Sequence, residues 1–239
     1  MKFALYGGER VEAEANLKGA VCQVCKAEVI AKCGNIKIHH WAHKSKRKCD
    51  HWWENETQWH RDWKNQFSKD WQEIVHTSET GEGHIADIKT PKGLVVEFQH
   101  SPIKPEEILA RNTFYKNIIW IVDGKRRKYD EKKFKEVIDP TSGAWEFWYY
   151  SPLLRDWSRI QKPIFFDFGG PKLYVVFEGE IKDFDKVDFI EGVKMGGKTL
   201  TYLLKEKVKI AKIKDEYRRN PINEKKGKRT FASVIKRGY

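Results

Sequence analysis

Apolar and polar residues alternate most regularly between His84 and Ser101, in the stretch HIADIKTPKGLVVEFQHS. Two short runs of period two are joined by Pro91-Lys92-Gly93, which predicts a hairpin closed by a tight loop. Pairing Thr90 with Leu94 carries the register back through Lys89 with Val95 and Ile88 with Val96 to Asp87 opposite Glu97. Leu94, Val96 and Phe98 then face a core, and Val95, Glu97 and Gln99 face the other way. Upstream, Trp59, Trp63 and Phe67 recur every four residues, and the stretch from about Trp53 to Trp71 reads as an amphipathic helix. Glu73 to Thr77 reads as a strand. Beyond the hairpin, Pro105 at a first helical position, with Glu106 and Glu107 in the first turn, opens a second helix that ends at Asn117. Ile118 to Val122 is a buried strand stopped by Asp123-Gly124. The order is α-β-β-β-α-β, and a right-handed crossover makes Ile118 to Val122 parallel to Leu94 to Gln99.

On either side of this block the pattern weakens. Phe3 to Tyr6 and Arg10 to Ala13 flank Gly7-Gly8 as a short hairpin. Lys125 to Lys128 opens a basic segment with a short helix through Val137, then Trp145 to Tyr150 and Lys162 to Phe168 read as strands. Gly169-Gly170-Pro171 turns the chain, and Leu173 to Glu178 pairs back. Lys198 to about Tyr217 has a Lys-rich helical pattern, and Asn220 to Tyr239 is a polar, basic tail suited to non-specific phosphate contact. The expected division is 1–50 as a hairpin and metal module, 51–139 as the core, and 140–239 as a C-terminal extension, in a mixed α/β (α+β) fold.

Composition narrows the partners. Ten tryptophans and 13% aromatic residues in 239 argue for a packed core over disorder. A formal charge of +12 favours an anionic partner, nucleic acid first, although surplus surface lysines give the same number. No apolar run approaches ~18 residues and MKFALYGGER has no long apolar region, so neither a membrane span nor a secretory signal is expected, and the cytoplasm follows by default. In that reducing compartment Cys22, Cys25, Cys33 and Cys49 point to metal before disulfides.

Several groups of residues carry candidate chemistry. Asp87 and Glu97, about 4.5 to 5.5 Å apart at Cβ as cross-strand partners, repel each other unless a divalent cation lies between them; a solvated polar hairpin edge is the plainer reading. Cys22-x2-Cys25 followed by His40-x2-His43 offers the four donors of a tetrahedral Zn²⁺ site, with Cys33, His39, Cys49 and His51 as alternative ligands. Buried free cysteines beside surface histidines are the bland version. Lys44, Lys46, Arg47 and Lys48 follow at once and suit phosphate. Glu56, His60 and Lys64 lie at i, i+4 and i+8 on the edge of the aromatic stripe, where they line a site or form a solvated face. Glu107, Arg111 and Tyr115 share a face, as a helical salt bridge or a phosphate contact. Asp167 and Glu178 read as exposed carboxylates in a hairpin.

Taken together, Cys22-x2-Cys25 with His40-Trp-Ala-His43, Glu56-x3-His60-x3-Lys64, Ala86-Asp87-Ile88, Glu97-Phe98-Gln99-His100-Ser101-Pro-Ile103 and Arg111-x3-Tyr115 resemble the competence protein CoiA-like family. That family is placed in the PD-(D/E)XK nuclease superfamily. The resemblance covers roughly residues 1 to 123, with a weaker echo at Lys162 to Phe168. It implies a restriction-endonuclease-like core behind a zinc-ribbon-like module, a metal-dependent nuclease, and a link to DNA uptake, processing or recombination. One departure stands out: Gln99 occupies the place of the usual catalytic lysine, which leaves open which group orients or deprotonates the attacking water.

The expected chemistry is phosphodiester hydrolysis. Asp87, Glu97 and the Phe98 carbonyl hold Mg²⁺ (or Mn²⁺), and Glu56 holds the metal or its waters. Lys64 or His60 replaces the missing lysine, Gln99 orients water through its amide, and Arg111 and Tyr115 join the basic loop in contacting nucleic acid. Zn²⁺ is structural. DNA is the expected partner, with DNA-processing proteins as companions. The rival is a non-catalytic, zinc-containing DNA-binding protein with a degenerate nuclease core. A structural adaptor explains the tryptophans but not the opposed carboxylates.

Overall fold

Period-two alternation and one wholly apolar strand decide the centre of the molecule. The computed structural model describes residues 1–45, 49–52, 54–79, 81–139, 141, 149–157, 160–196 and, as backbone, 209–212. Two small antiparallel sheets form the N-terminal module: β1 (Phe3–Tyr6) with β2 (Glu9–Glu12), and β3 (Val29–Lys32) with β4 (His40–His43). Gly7 and Gly8 turn the first hairpin at φ +59° and +91°, angles that favour glycine. Ala4, Ala20, Cys22, Val29 and Trp41 make the module's own small core.

The main sheet is built from β5 (Gln72–Thr77), β6 (Gly83–Lys89), β7 (Val95–Gln99), β8 (Ile118–Asp123), β9 (Ile164–Asp167), β10 (Lys172–Phe177), β11 (Glu180–Asp185) and β12 (Lys209–Lys212). Their order is β12-β11-β10-β9-β8-β7-β6-β5. The pairs β7 with β8 and β8 with β9 are parallel, and the others are antiparallel. All six residues of β8 are buried, as a parallel strand covered on both faces requires. On one face Val95, Trp120, Val122 and Phe166 pack with α2 (Pro105–Tyr115), α3 (Asp130–Ile138) and α4 (Pro152–Trp157). On the other, Val96, Phe98, Ile121 and Phe165 meet Trp63 of α1 (Gln58–Lys64) and Phe189 and Val193 of α5 (Lys186–Lys194).

The hairpin has the expected register as far as Lys89 with Val95 and Ile88 with Val96, closed by the Thr90 amide on the Leu94 carbonyl at 2.9 Å. The ladder stops one step short of the carboxylate pair. There the Asp87 amide donates to Glu97 Oε1 at 3.2 Å, and the Phe98 amide donates to Asp87 Oδ2 at 3.0 Å. The strands part, and the two side chains satisfy backbone groups that the ladder no longer pairs.

The long helix expected from Trp53 to Trp71 is one short helix and a 3-10 turn over Lys69–Trp71. Thr57 starts the helix through a capping box, its hydroxyl accepting from the His60 amide while His60 Nδ1 accepts from the Thr57 amide. Asn65 ends it, and Phe67 joins the same core from beyond the helix end.

The sheet runs without a break across residue 139, since β9 pairs parallel with β8. The helix expected over Lys198–Tyr217 is overturned where the chain is described: Lys209–Lys212 is a strand on β11. Its Lys-Ile-Ala-Lys pattern, with lysine at both ends, suits a sheet edge. The expectations for Trp53, residues 145–148 and 220–239 lie outside the described residues. Among the described residues no helix is long and apolar enough to cross a membrane.

Candidate active site and metal centre

α1 carries Lys64 into the gap between the parted strands. Its buried ammonium lies 2.9 Å from Asp87 Oδ1, 3.1 Å from Glu73 Oε1 and 3.3 Å from Glu56 Oε1. Burial opposes the charge, but the three carboxylates outweigh it and raise Lys64 well above the ordinary lysine value. Glu73 sits at φ +47° and also accepts the amides of Lys2 and Phe3 at 2.7 to 3.0 Å. Burial opposes its ionisation too, yet Lys64 and those amides hold Glu73 at about 2. Glu56 accepts from Arg61 Nη2 at 2.7 Å as well.

Glu97 behaves oppositely. Burial and the neighbouring Asp87 push it up to about 8, against the pull of Arg111 Nη1 at 2.9 Å. Near neutral pH the buried pair of acids therefore holds a proton where a cation would otherwise compensate it. Arg111 is buried and also donates to Glu107 and to the Trp52 carbonyl.

Glu54 organises the second half of the site. Its Oε1 is 2.6 Å from His60 Nε2, its Oε2 accepts from Gln99 Nε2 at 3.0 Å, and it receives the amides of His100 and Ser101 at 3.3 Å. Gln99 Nε2 also donates to the Ser101 carbonyl at 2.8 Å. Two acceptors on one nitrogen fix the amide's orientation and leave Gln99 Oε1 buried with no hydrogen-bond partner among the described residues. A water or a cation is what such an oxygen lacks.

These groups border a cavity of about 580 Å³. Asp50, Glu54, Glu56, Glu73, Asp87 and Glu97 line it against two permanent cations, Lys64 and Arg111. Hard oxygens in excess of the cations, an orphaned acceptor, and a carboxyl pushed up by burial and a neighbouring acid fit Mg²⁺ or Mn²⁺. Phe98 also lines this cavity, so its carbonyl belongs to the same neighbourhood.

Across the cavity lies the cysteine cluster. One donor atom each from Cys22, Cys25, His43 and Cys49 falls within 4.8 Å of the others. Cys22 and Cys49 sulfurs are 3.6 Å apart, close to the ~3.8 Å edge of a tetrahedron with Zn–S bonds of about 2.3 Å. Cys25 Sγ is 3.3 Å from His43 Nε2. Burial and the two neighbouring thiols push Cys49 up to about 12, a cost that a bound cation reverses. The donor set fits Zn²⁺, with one correction: Cys49 stands where His40 was expected. His40 and His43 both lie on β4, three residues apart, so they face opposite sides of the strand. His40 instead places Nδ1 2.8 Å from the Ile38 carbonyl.

Residues 9–51 match the family model described as competence protein CoiA, N-terminal domain, and residues 85–167 match competence protein CoiA, nuclease-like domain. The two segments together span just over half of the chain. The chain belongs to the competence protein CoiA-like family. No curated protein and no solved structure matches it.

In this CoiA-like chain the cysteine cluster falls in the first matched segment and Asp87, Glu97 and Gln99 in the second. Glu54, Glu56, His60, Lys64 and Glu73 come from the stretch between them. Sequence reasoning missed Glu54 and Glu73, which reach the site only by folding. It also misread Asp167, which is buried and accepts from Trp59 Nε1 at 3.1 Å, Trp63 Nε1 at 2.8 Å and the Gly169 amide at 2.8 Å. That carboxylate anchors α1 to the sheet. Among the residues expected to touch nucleic acid, Lys44 is exposed and paired with Glu28 at 3.0 Å, while Arg111 and Tyr115 line the cavity. Lys46, Arg47 and Lys48 lie outside the described residues.

Proposed function

We propose that this CoiA-like protein is a divalent-metal-dependent nuclease that hydrolyses phosphodiester bonds in DNA, in the service of DNA uptake, processing or recombination. The observation that carries the reading is Lys64, whose ammonium lies 2.9 Å from Asp87 and supplies from α1 the cation that position 99 lacks. The proposed division has a zinc module at 1–50, a PD-(D/E)XK-like catalytic core at 51–139, and an extension at 140–239 that completes the sheet. A thiol-rich zinc site suits the reducing cytoplasm.

Asp87, Glu97 and the Phe98 carbonyl would hold Mg²⁺ or Mn²⁺, with Glu56 on its waters. When bound, the metal supplies a Lewis acid for the non-bridging oxygen and lowers the pKa of a water. Glu97 would hold the metal as its carboxylate. Lys64 stabilises negative charge that develops on the phosphoryl oxygens, and its neighbour Asp87 keeps it charged. Gln99 offers Oε1 to orient the attacking water. Both ring nitrogens of His60 are engaged, by Thr57 and Glu54, so His60 acts by fixing Glu54 and through it Gln99. Arg111 balances Glu97, Tyr115 packs the cavity wall, and the basic run of Lys44, Lys46, Arg47 and Lys48 is the proposed contact for further phosphates.

A non-catalytic DNA-binding role draws support from the glutamine at 99. Incubation with labelled DNA, with and without Mg²⁺ or Mn²⁺, decides between them. Cleavage is expected only with metal and is lost in Asp87→Ala; metal-independent cleavage, or an undiminished rate in the variant, overturns the proposal.

A further inference from the structure

The cavity that holds Asp87 and Glu97 has walls from two parts of the chain. The far wall is β4 with Ser45 and Cys49, contributing Trp41, Ala42, His43 and those two residues. This wall is fastened on several sides. Buried Glu73 holds the amides of Lys2 and Phe3, and Arg10 reaches the carbonyls of Lys69 and Gln72. Arg61 donates to the His39 carbonyl at 3.1 Å. Asp50, next to Cys49, accepts the Ile85 amide at 3.1 Å and pairs with His84 at 2.8 Å. Bonds that join the module to α1, β5 and β6 together make it a fixed roof over the acids.

A sphere of the cavity's volume is about 10 Å across, narrower than two base-paired strands whose major groove by itself admits an α-helix. The acids lie inside that space, with the side chain of Glu97 only 4% exposed and that of Asp87 21%. With β4 standing over them, an intact duplex is expected to meet the module before one of its phosphates reaches the acids. One sugar-phosphate and its base do fit, with Ala42, Trp52, Ile85 and Tyr115 offering apolar surface among the carboxylates. We infer that the site takes a single strand, or the unpaired end or flap of a duplex, and rejects the intact double helix. The inference rests on reading this cavity as the nucleic-acid site proposed above.

The test uses the full chain and DNA of one sequence as a single strand, a blunt duplex, and duplexes with 3′ or 5′ overhangs. Binding is followed by fluorescence anisotropy with Ca²⁺ at about 0.15 M ionic strength, where surface attraction to phosphate is partly screened. Cleavage is followed with Mg²⁺ or Mn²⁺. The single strand and the overhangs are expected to bind at least about tenfold tighter than the blunt duplex, within the worth of one or two enclosed bases, with cuts in the unpaired residues. Ser45→Trp fills the cavity from its exposed rim and is expected to narrow that gap. A blunt duplex bound or cut as well as the single strand overturns the inference and leaves the nuclease reading standing. Single-strand preference without cleavage of any form does the reverse. Binding to no form overturns both, and a gap unmoved by Ser45→Trp overturns the cavity as its source.

Discussion

Lys64 serves the fold and the proposed chemistry at once, and this decides how its substitution reads out. Lys64→Met leaves buried Glu73 and half-buried Glu56 and Asp87 around an apolar side chain. The loss of one partner from such a cluster costs about 3 to 5 kcal/mol, to be read as a lowered urea midpoint in metal-free protein. Added Mg²⁺ is expected to restore part of it by neutralising Asp87. Gln99→Ala removes the hydrogen bonds to Glu54 and the Ser101 carbonyl but also an oxygen that had no partner, so its cost should stay below about 3 kcal/mol. Under single-turnover conditions, with each variant confirmed as folded, the rate is expected to fall about 10²- to 10⁴-fold for Lys64→Met and no more than about tenfold for Gln99→Ala. Equal losses would refute the division of roles. Asp87 and Glu97 were legible in the sequence because a three-residue loop and strict alternation fix a register. Glu73 was not, because it reaches Lys64 only through a backbone turn at positive φ.

At the scale of elements, the Cys22-Cys25-His43-Cys49 cluster shows how the type of element chooses candidate ligands. Two histidines three apart serve one metal in a knuckle or on a helix, but β4 is a strand and splits them. The cysteine pair was legible from spacing alone; the choice between His40 and Cys49 needed the strand. Cys49→Ser is expected to lower zinc well below one equivalent by elemental analysis, whereas His40→Ala keeps about one. The neighbouring contact ties this module to β6. Burial opposes charge on His84, but Asp50 and Glu82 at 2.8 and 2.9 Å outweigh it and raise His84 above the usual 6.5. A folded pKa above the unfolded one means the folded state binds the proton more tightly. This contribution is complete below 6.5 and disappears as pH rises through the folded value. The difference in urea midpoint between wild type and His84→Gln should therefore be largest on the acid side of 6.5 and shrink on the alkaline side. A constant difference would show that stacking on Trp52, with ring centroids 3.4 Å apart, does the holding.

At the scale of the molecule, the core cannot end where the chain's local pattern weakens. The α-β-β-β-α-β order was legible through residue 123, because those elements are contiguous and strongly periodic. The strands beyond Gly124 were harder to place because β9 joins β8 by a parallel connection that leaves no hairpin signal. The consequence is structural dependence. β8 would become an open edge, apolar from Ile118 to Val122, without β9, and both faces of the sheet would lose core residues: Ile164 and Phe166 from one, Phe165, Leu173 and Val175 from the other. Asp167 would go as well, and with it the carboxylate that holds the indoles of Trp59 and Trp63 and so sets where α1 presents Lys64. A fragment of residues 1–139 is therefore expected to aggregate or to remain a loosely packed globule, with far-UV dichroism but no near-UV signal, strong binding of a hydrophobic dye and no cooperative urea transition. A milder probe isolates the anchor: Asp167→Asn keeps the volume but weakens the acceptor, and should lower the cleavage rate through α1 while near-UV dichroism persists. If the fragment instead unfolds cooperatively and cleaves at the rate of the whole chain, then the catalytic core is self-sufficient and residues 140–239 are an appendage, whatever sheet they complete.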